Sequence, residues 1–291
     1  MSSMATASPA GPAALTRRRR PSTLTVLRWE LRKLMSQKRT YLGLALVVIL
    51  PLIFVVVQNL HQRHDRGENI FASQITQSGL ATPVLMLLFL SVFMLPVAAA
   101  LVAGDIVANE DSNGTLKTIL TRSVDRGQVF AAKTIAAMLY AAVGVYLSAT
   151  VSTAAGVASW GFNSVTTYSG TVVSAPKGLL LVFAANGCYL IPLMAVVSIG
   201  VLLSTVTHNS AAAVVGTIGL VIMLFILAQI PGLEGIHAYL LTEQFENWHG
   251  LLRTPADWAP IWHSLWVSAL YAGPALFAAY LVFLRRDVAG G

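Results

Sequence analysis

Apolar residues gather in six long runs, at roughly 41–58, 81–103, 127–158, 178–204, 211–230 and 263–284. A helix needs about 20 mostly apolar residues to cross a bilayer, so the pattern predicts six membrane spans. The third run is longer than one crossing needs and predicts a helix that tilts or projects beyond the bilayer. Pro51, Pro96, Pro192 and Pro274 fall inside the runs, where neighbouring helices can satisfy the carbonyls they free. Ahead of the first run the pattern changes. Leu24, Leu27, Leu31, Leu34 and Met35 share one helical face, flanked by Arg28, Arg32 and Arg39. This predicts an amphipathic helix over 23–39 lying in the membrane interface, with Trp29 off the stripe and turned to headgroups or a partner; the plainer alternative is a solvated basic helix.

Composition agrees with a membrane chain. Of 291 residues 56% are hydrophobic and 11% charged, where a soluble domain carries about 25% charged. Residues 1–22 are rich in Ala, Ser, Pro and Gly, carry Arg17 to Arg20, and read as a disordered basic tail. No apolar stretch follows those arginines directly, so a cleaved signal is not expected. Fifteen of the 19 Lys and Arg residues fall before the first span, between spans two and three, or after span six. The positive-inside rule places both termini and the 104–127 loop in the cytoplasm, with the plasma membrane as the expected location.

The spans carry almost no charge. Asp105 stands at the mouth of the second and Lys133 early in the third. Intramembrane charge marks proton relays and ion-coupling sites, so an ion-driven transporter is disfavoured, and no charged ring suggests an ion filter. The chain has no HExxH, GxSxG or phosphate-cradling GxxxxGK[ST] motif. Catalytic, cofactor and metal residues are expected to be absent, as is any contact with nucleic acid. His61, His64 and Asp65 form an H-x-x-H-D cluster that reads first as solvated and second as a metal site. Cys188 reads as a small buried hydrophobe. Gly144, Ser148, Ser152 and Gly156 stand four apart, a spacing that lets helices approach closely, within the chain or between two copies. Asn186 and Gln229 are the most polar side chains near span interiors, and they either bond between helices or line a route. The stretch 231–262 opens with Pro231–Gly232 and carries Trp248, Trp258 and Trp262. It predicts short helices in the outer interface, as a gate or an anchor.

One charged island interrupts this pattern, NEDSNGTLKTILTRSVDRGQ, from Asn109 to Gln128. Leu116, Ile119 and Leu120 give a short helix one apolar face. Asn113–Gly114 signals a turn before it, and Ser123 is placed to cap the next helix, with Asp125 in its first turn. An apolar centre ringed by Glu110, Asp111, Lys117, Arg122 and Arg126 resembles a docking surface; a solvated loop helix folding back on the membrane is the alternative.

The stretch from Glu110 to Lys133 resembles the ABC-2 type permease family. An acidic residue precedes Gly114–Thr115–Leu116, followed by Ile119–Leu120, Thr121–Arg122, Arg126 and a later Lys133. Ser123 stands where that family often has proline. The W-E-L-R-K-L of Trp29 to Leu34 is similar to the family's N-terminal elbow helix. The resemblance implies an all-α fold of six spans preceded by an elbow helix, of the type V exporter-like class, occupying 40–291. It implies a coupling surface built from Glu110, Asp111, Gly114, Thr115, Leu116, Lys117, Ile119, Leu120, Arg122 and Arg126. The elbow residues are Leu27, Trp29, Leu31, Arg32, Lys33 and Leu34. It also implies partners: a separate ABC ATPase that holds the ATP and Mg, a second permease copy and membrane lipid. The motif is most similar to permeases of bacitracin and lantibiotic self-protection, so the expected activity is export of an amphipathic or hydrophobic compound. The alternative is a membrane component of an ATPase-driven assembly, maturation or extraction complex.

Overall fold

A computed structural model describes residues 22–64, 78–90, 92–115, 125–167 and 169–285. Among the described residues the fold is all-α apart from one small hairpin. Helix α1 spans Thr23–Met35 and α2 spans Lys38–His64. Then come α3 (Ala81–Leu90), α4 (Met94–Ala103), the short α5 (Ala108–Ser112) and the long α6 (Arg126–Trp160). Strands β1 (Val165–Thr166) and β2 (Val172–Val173) follow. The chain continues through α7 (Ala175–Val206), α8 (Ser210–Ala228), α9 (Glu234–His237), a 3-10 helix (Glu243–Leu252) and α10 (Ala259–Arg285).

Among the described residues five helices are long and apolar enough to cross a membrane: α2, α6, α7, α8 and α10. The second crossing expected at 81–103 is two helices rather than one. The α3 and α4–α5 segments meet at a bend of 62°, and together they pass as a sixth span. Pro96 accompanies the break. It sits in the first turn of α4, where its missing N–H has no intrahelical acceptor to leave unfilled. The helix can restart there at no hydrogen-bond cost. The expected 23–39 helix also divides, because Ser36 caps α1 and its hydroxyl donates to the Lys33 carbonyl at 2.7 Å.

Helix α7 is the hub. Its most apolar window is 67% buried inside the chain, against 22% for α8 and 28% for α2 and α10, which therefore present their outer faces to lipid. Packing, rather than the hydrophobic effect, holds such helices together in a bilayer, and small residues permit it. A Cβ on Gly200 of α7 would fall 2.8 Å from the Ala103 Cβ of α4. The small-residue stripe of α6 is buried within the chain. At its end Gly156 meets Gly79, where a Cβ on either glycine would come within 2.3 Å of the other's backbone. Residues 231–262 are not a surface layer alone. Phe245 and Trp248 of the 3-10 helix are buried, and Phe245 packs against Tyr189 of α7 with ring centroids 5.1 Å apart. The interface position expected for Trp248 is thus a core position, while Trp258, Trp262 and Trp266 are exposed.

Candidate functional site: a buried charge cluster around Lys133

Lys133 lies two turns into α6 and is fully buried. A buried ammonium persists only where its protons find acceptors and its charge a counter-charge. The chain supplies three acceptors. Lys133 Nζ lies 2.6 Å from Glu110 Oε1 of α5, 3.0 Å from Glu30 Oε2 of α1, and donates to the Ile106 carbonyl at 3.3 Å. Lys33, one turn after Glu30, donates to the same Glu110 oxygen. Two carboxylates and two ammoniums therefore balance where α1, α5 and α6 meet.

A second ionic contact lies beside it. Asp105, buried between α4 and α5, accepts from Arg39 at the start of α2 and from Ser210 at the start of α8. Arg39 also donates to Ser210 Oγ at 2.9 Å. Helix α5 has no side-chain cap of its own. Ser204 of α7 does that work from outside, its hydroxyl oxygen accepting from the Val107 and Ala108 amides at 3.1 and 3.0 Å. Asp111 pairs with His208 at 2.5 Å, and His208 adopts φ 55 in the turn between α7 and α8. Through Ala108, Glu110 and Asp111 the five-residue α5 is thus fastened to α7, α1, α6 and the turn between α7 and α8. Gly114 then turns the chain at φ 68.

The downstream end of the island is fastened too. Asp125, not Ser123, stands at the N-cap of α6 and accepts from the Gly127 amide at 3.2 Å. Arg126 donates to the Leu284 carbonyl at 2.8 Å, filling an acceptor that the end of α10 leaves open.

Of the residues expected on a docking face, Leu116, Lys117, Ile119, Leu120 and Arg122 lie outside the described residues, as does Ser123. Gly114 and Thr115 are exposed, and Thr115 Oγ1 donates to the Glu110 carbonyl at 3.2 Å. Glu110, expected on the rim, is 2% exposed and enclosed by lysines. Its side chain is an internal anchor, because its counter-charges come from α1 and α6 beneath it. On α1, where the elbow residues were expected, Val26, Glu30 and Leu34 are the buried positions, with Leu27 and Leu31 packed at the edge. Leu24, Trp29 and Met35 are exposed. The buried face is rotated from the leucine stripe because Glu30 must reach Lys133. Asn186 is buried in α7 and donates to the Val182 carbonyl of its own helix at 2.9 Å, while Gln229 is an exposed C-cap of α8, so the two are not brought together. Among the described residues no three His, Cys, Asp or Glu side chains group as a metal site requires. Asp65 and the side chains of His61 and His64 lie outside those described.

The partners of Lys133 were not evident from sequence. A charge at the mouth of each of two adjacent spans was a usable signal, yet it suggests pairing Asp105 with Lys133. Each instead takes other partners, because Glu30 and Glu110 arrive from helices whose rotation no local pattern specifies.

The apolar helices and the buried ionic centre define an integral, multi-pass, all-α membrane protein with five candidate spans, or six with the bent pair. Residues 41–289 match the family described as Protein of unknown function (DUF2705), and the chain belongs to that family. No curated protein matches it.

Proposed function

We propose that the chain is the membrane-spanning subunit of an ABC-2 type transporter, moving an amphipathic or hydrophobic compound outward with energy supplied by a separate ABC ATPase. The supporting observation is the Glu110–Lys133 pair. The acidic residue and the lysine that bound the family-like motif are 23 positions apart in sequence and 2.6 Å apart in space. They close the island into a loop with a fixed base, and Lys33 and Glu30 tie that base to α1. Leu116, Ile119 and Leu120 lie in sequence between these two ends, so a push from a partner on them would pass to α1 and α6 together. Binding energy moves a conformational equilibrium only through contacts that differ between its states, and a rigid base transmits those contacts without dissipating them.

In this reading the base lies on the cytoplasmic side of the plasma membrane, with both termini. Two permease copies pair, each holding one ATPase. The partner contacts belong to Leu116, Ile119, Leu120 and Arg122, while Glu110 and Lys133 position them. The test is co-purification of this chain with a co-expressed ABC ATPase. Leu116→Asp with Leu120→Asp should abolish capture of the ATPase while leaving the permease folded and in the membrane. Undiminished capture by that double variant overturns the reading.

A further inference from the structure

A cavity of about 320 Å³ lies at the end of the bundle away from the charge cluster. It opens between the first turns of α3 and α7, the β1–β2 hairpin and the end of the 3-10 helix. Its size lies within the range of small-molecule sites, about 300–1,000 Å³.

The walls are braced before any ligand arrives. The hairpin pairs Val165 with Val173 and Thr166 with Val172, and turns through Gly170 at φ 76. Ser78 donates to the Asn163 carbonyl at 2.8 Å on one side, and the Thr254 amide donates to Ser169 Oγ at 2.9 Å on the other. Gly178 lets α7 approach the hairpin, since a Cβ there would already touch Val165 at 3.3 Å.

The chemistry of the lining is selective. Among the described residues none that lines the cavity carries a charge, and Val84, Leu85, Leu181 and Leu252 give it hydrocarbon walls. The hydroxyls of Ser78 and Thr167 are already engaged, by Asn163 and Thr171. Ser164 and Thr166 remain to meet a ligand. An ion would lose its hydration here without a counter-charge, whereas a hydrocarbon body with one neutral polar end would exchange water for apolar contact and a hydroxyl partner.

We propose that this cavity binds an uncharged molecule with a hydrocarbon body and a neutral hydrogen-bonding end, drawn either from neutral membrane lipid or from a lipophilic small compound. The site goes beyond the transport reading, because its occupancy can be measured whether or not an ATPase drives the chain.

The test is photolabelling with azioctanol, a diazirine-bearing alcohol, of the full chain in phosphatidylcholine–phosphatidylglycerol vesicles. Adducts mapped by mass spectrometry should concentrate on 78–85, 164–173 and 178–182 and be competed by unlabelled octanol. Ala81→Phe and, from the hairpin side, Thr166→Trp should each cut this labelling at least about tenfold. Val215→Phe, on the exposed face of α8, should leave it unchanged. Organic extraction of the purified protein separates the sources. Neutral lipid present with the native chain and lost in Ala81→Phe identifies a lipid ligand; equal extracts with the labelling pattern intact identify a soluble lipophilic one. Adducts spread over α2 and α8 without enrichment at the cavity, or labelling that survives both filling variants in folded protein, overturn the proposal.

Discussion

At the basic end of the bundle, α1, α5 and α6 are joined through Glu30, Lys33, Glu110 and Lys133, four charged side chains that leave little freedom in how the helices align. At the far end, the turn before α3 meets α6 at Gly79 and Gly156, backbone against backbone, and a hairpin stands over a cavity. The first junction is specified by charge, the second by shape. Surrounded by lipid, apolar side chains gain little by choosing one apolar neighbour over another. A buried ammonium is different, because moving it one turn strands it without a carboxylate. The charge-specified end holds the island that we assign to partner contact, where position matters most. The shape-specified end leaves room for a ligand.

Removing the central cation should break this contrast most strongly. Lys133→Met leaves the buried Glu30 and Glu110 carboxylates without their shared partner and should cost about 3–5 kcal/mol, read as a lowered thermal midpoint in detergent. Adding Glu30→Gln and Glu110→Gln should recover much of the loss, and a Lys133→Met protein as stable as the native one would refute the ionic account. At the far end Gly156→Val must push against the Gly79 carbonyl and Thr82, with an expected cost of about 1–3 kcal/mol. No companion charge change should rescue that variant. Arg39→Ala should matter less, about 1–2 kcal/mol, because the Arg39 side chain is 42% exposed and Ser210 still donates to Asp105.

The smallest effect expected is a pH dependence of the 3-10 helix. Burial lowers the pKa of His249 from its ordinary 6.5. As pH falls through 6.5, the opened segment takes up a proton that the packed one resists. Stability present at neutral pH is therefore lost towards the lowered pKa. Glu243, whose pKa burial and the neighbouring Glu246 raise from 4.5, acts in the opposite sense at more acidic pH. Hydrogen exchange over 243–252 should quicken as pH drops below neutrality, after correction for intrinsic rates, and His249→Phe should flatten the trend.

Much of the scaffold was legible in the chain. The apolar runs at 127–158, 178–204, 211–230 and 263–284 lie within or nearly coincide with α6, α7, α8 and α10. Run length sets helix length directly when every backbone group must bond within its own segment. The second run misled, since its composition is uniform across the bend between α3 and α4 and hydropathy does not register a change of direction. The site was half legible. Glu110 and Lys133 stood out as charges flanking a motif, but Glu30 hid inside an amphipathic pattern, Ser204 looked like an ordinary span residue, and Ser210 looked like part of a connection between spans. Their roles depend on what lies across from them.

The amino-acid order by itself determined that this is a membrane chain, where its long helices lie, and that a charged island separates two of them. These are local properties, because the transfer free energy of a segment is a sum over its own residues. Only the tertiary structure decided that Lys133 answers to Glu110 and Glu30, that Asp105 answers to Arg39, that α1 turns its glutamate inward, and that the far end keeps a cavity. Those outcomes depend on which helices are neighbours and how each is rotated about its axis. Distance and direction between segments remote in sequence set them, and no window along the chain contains that information.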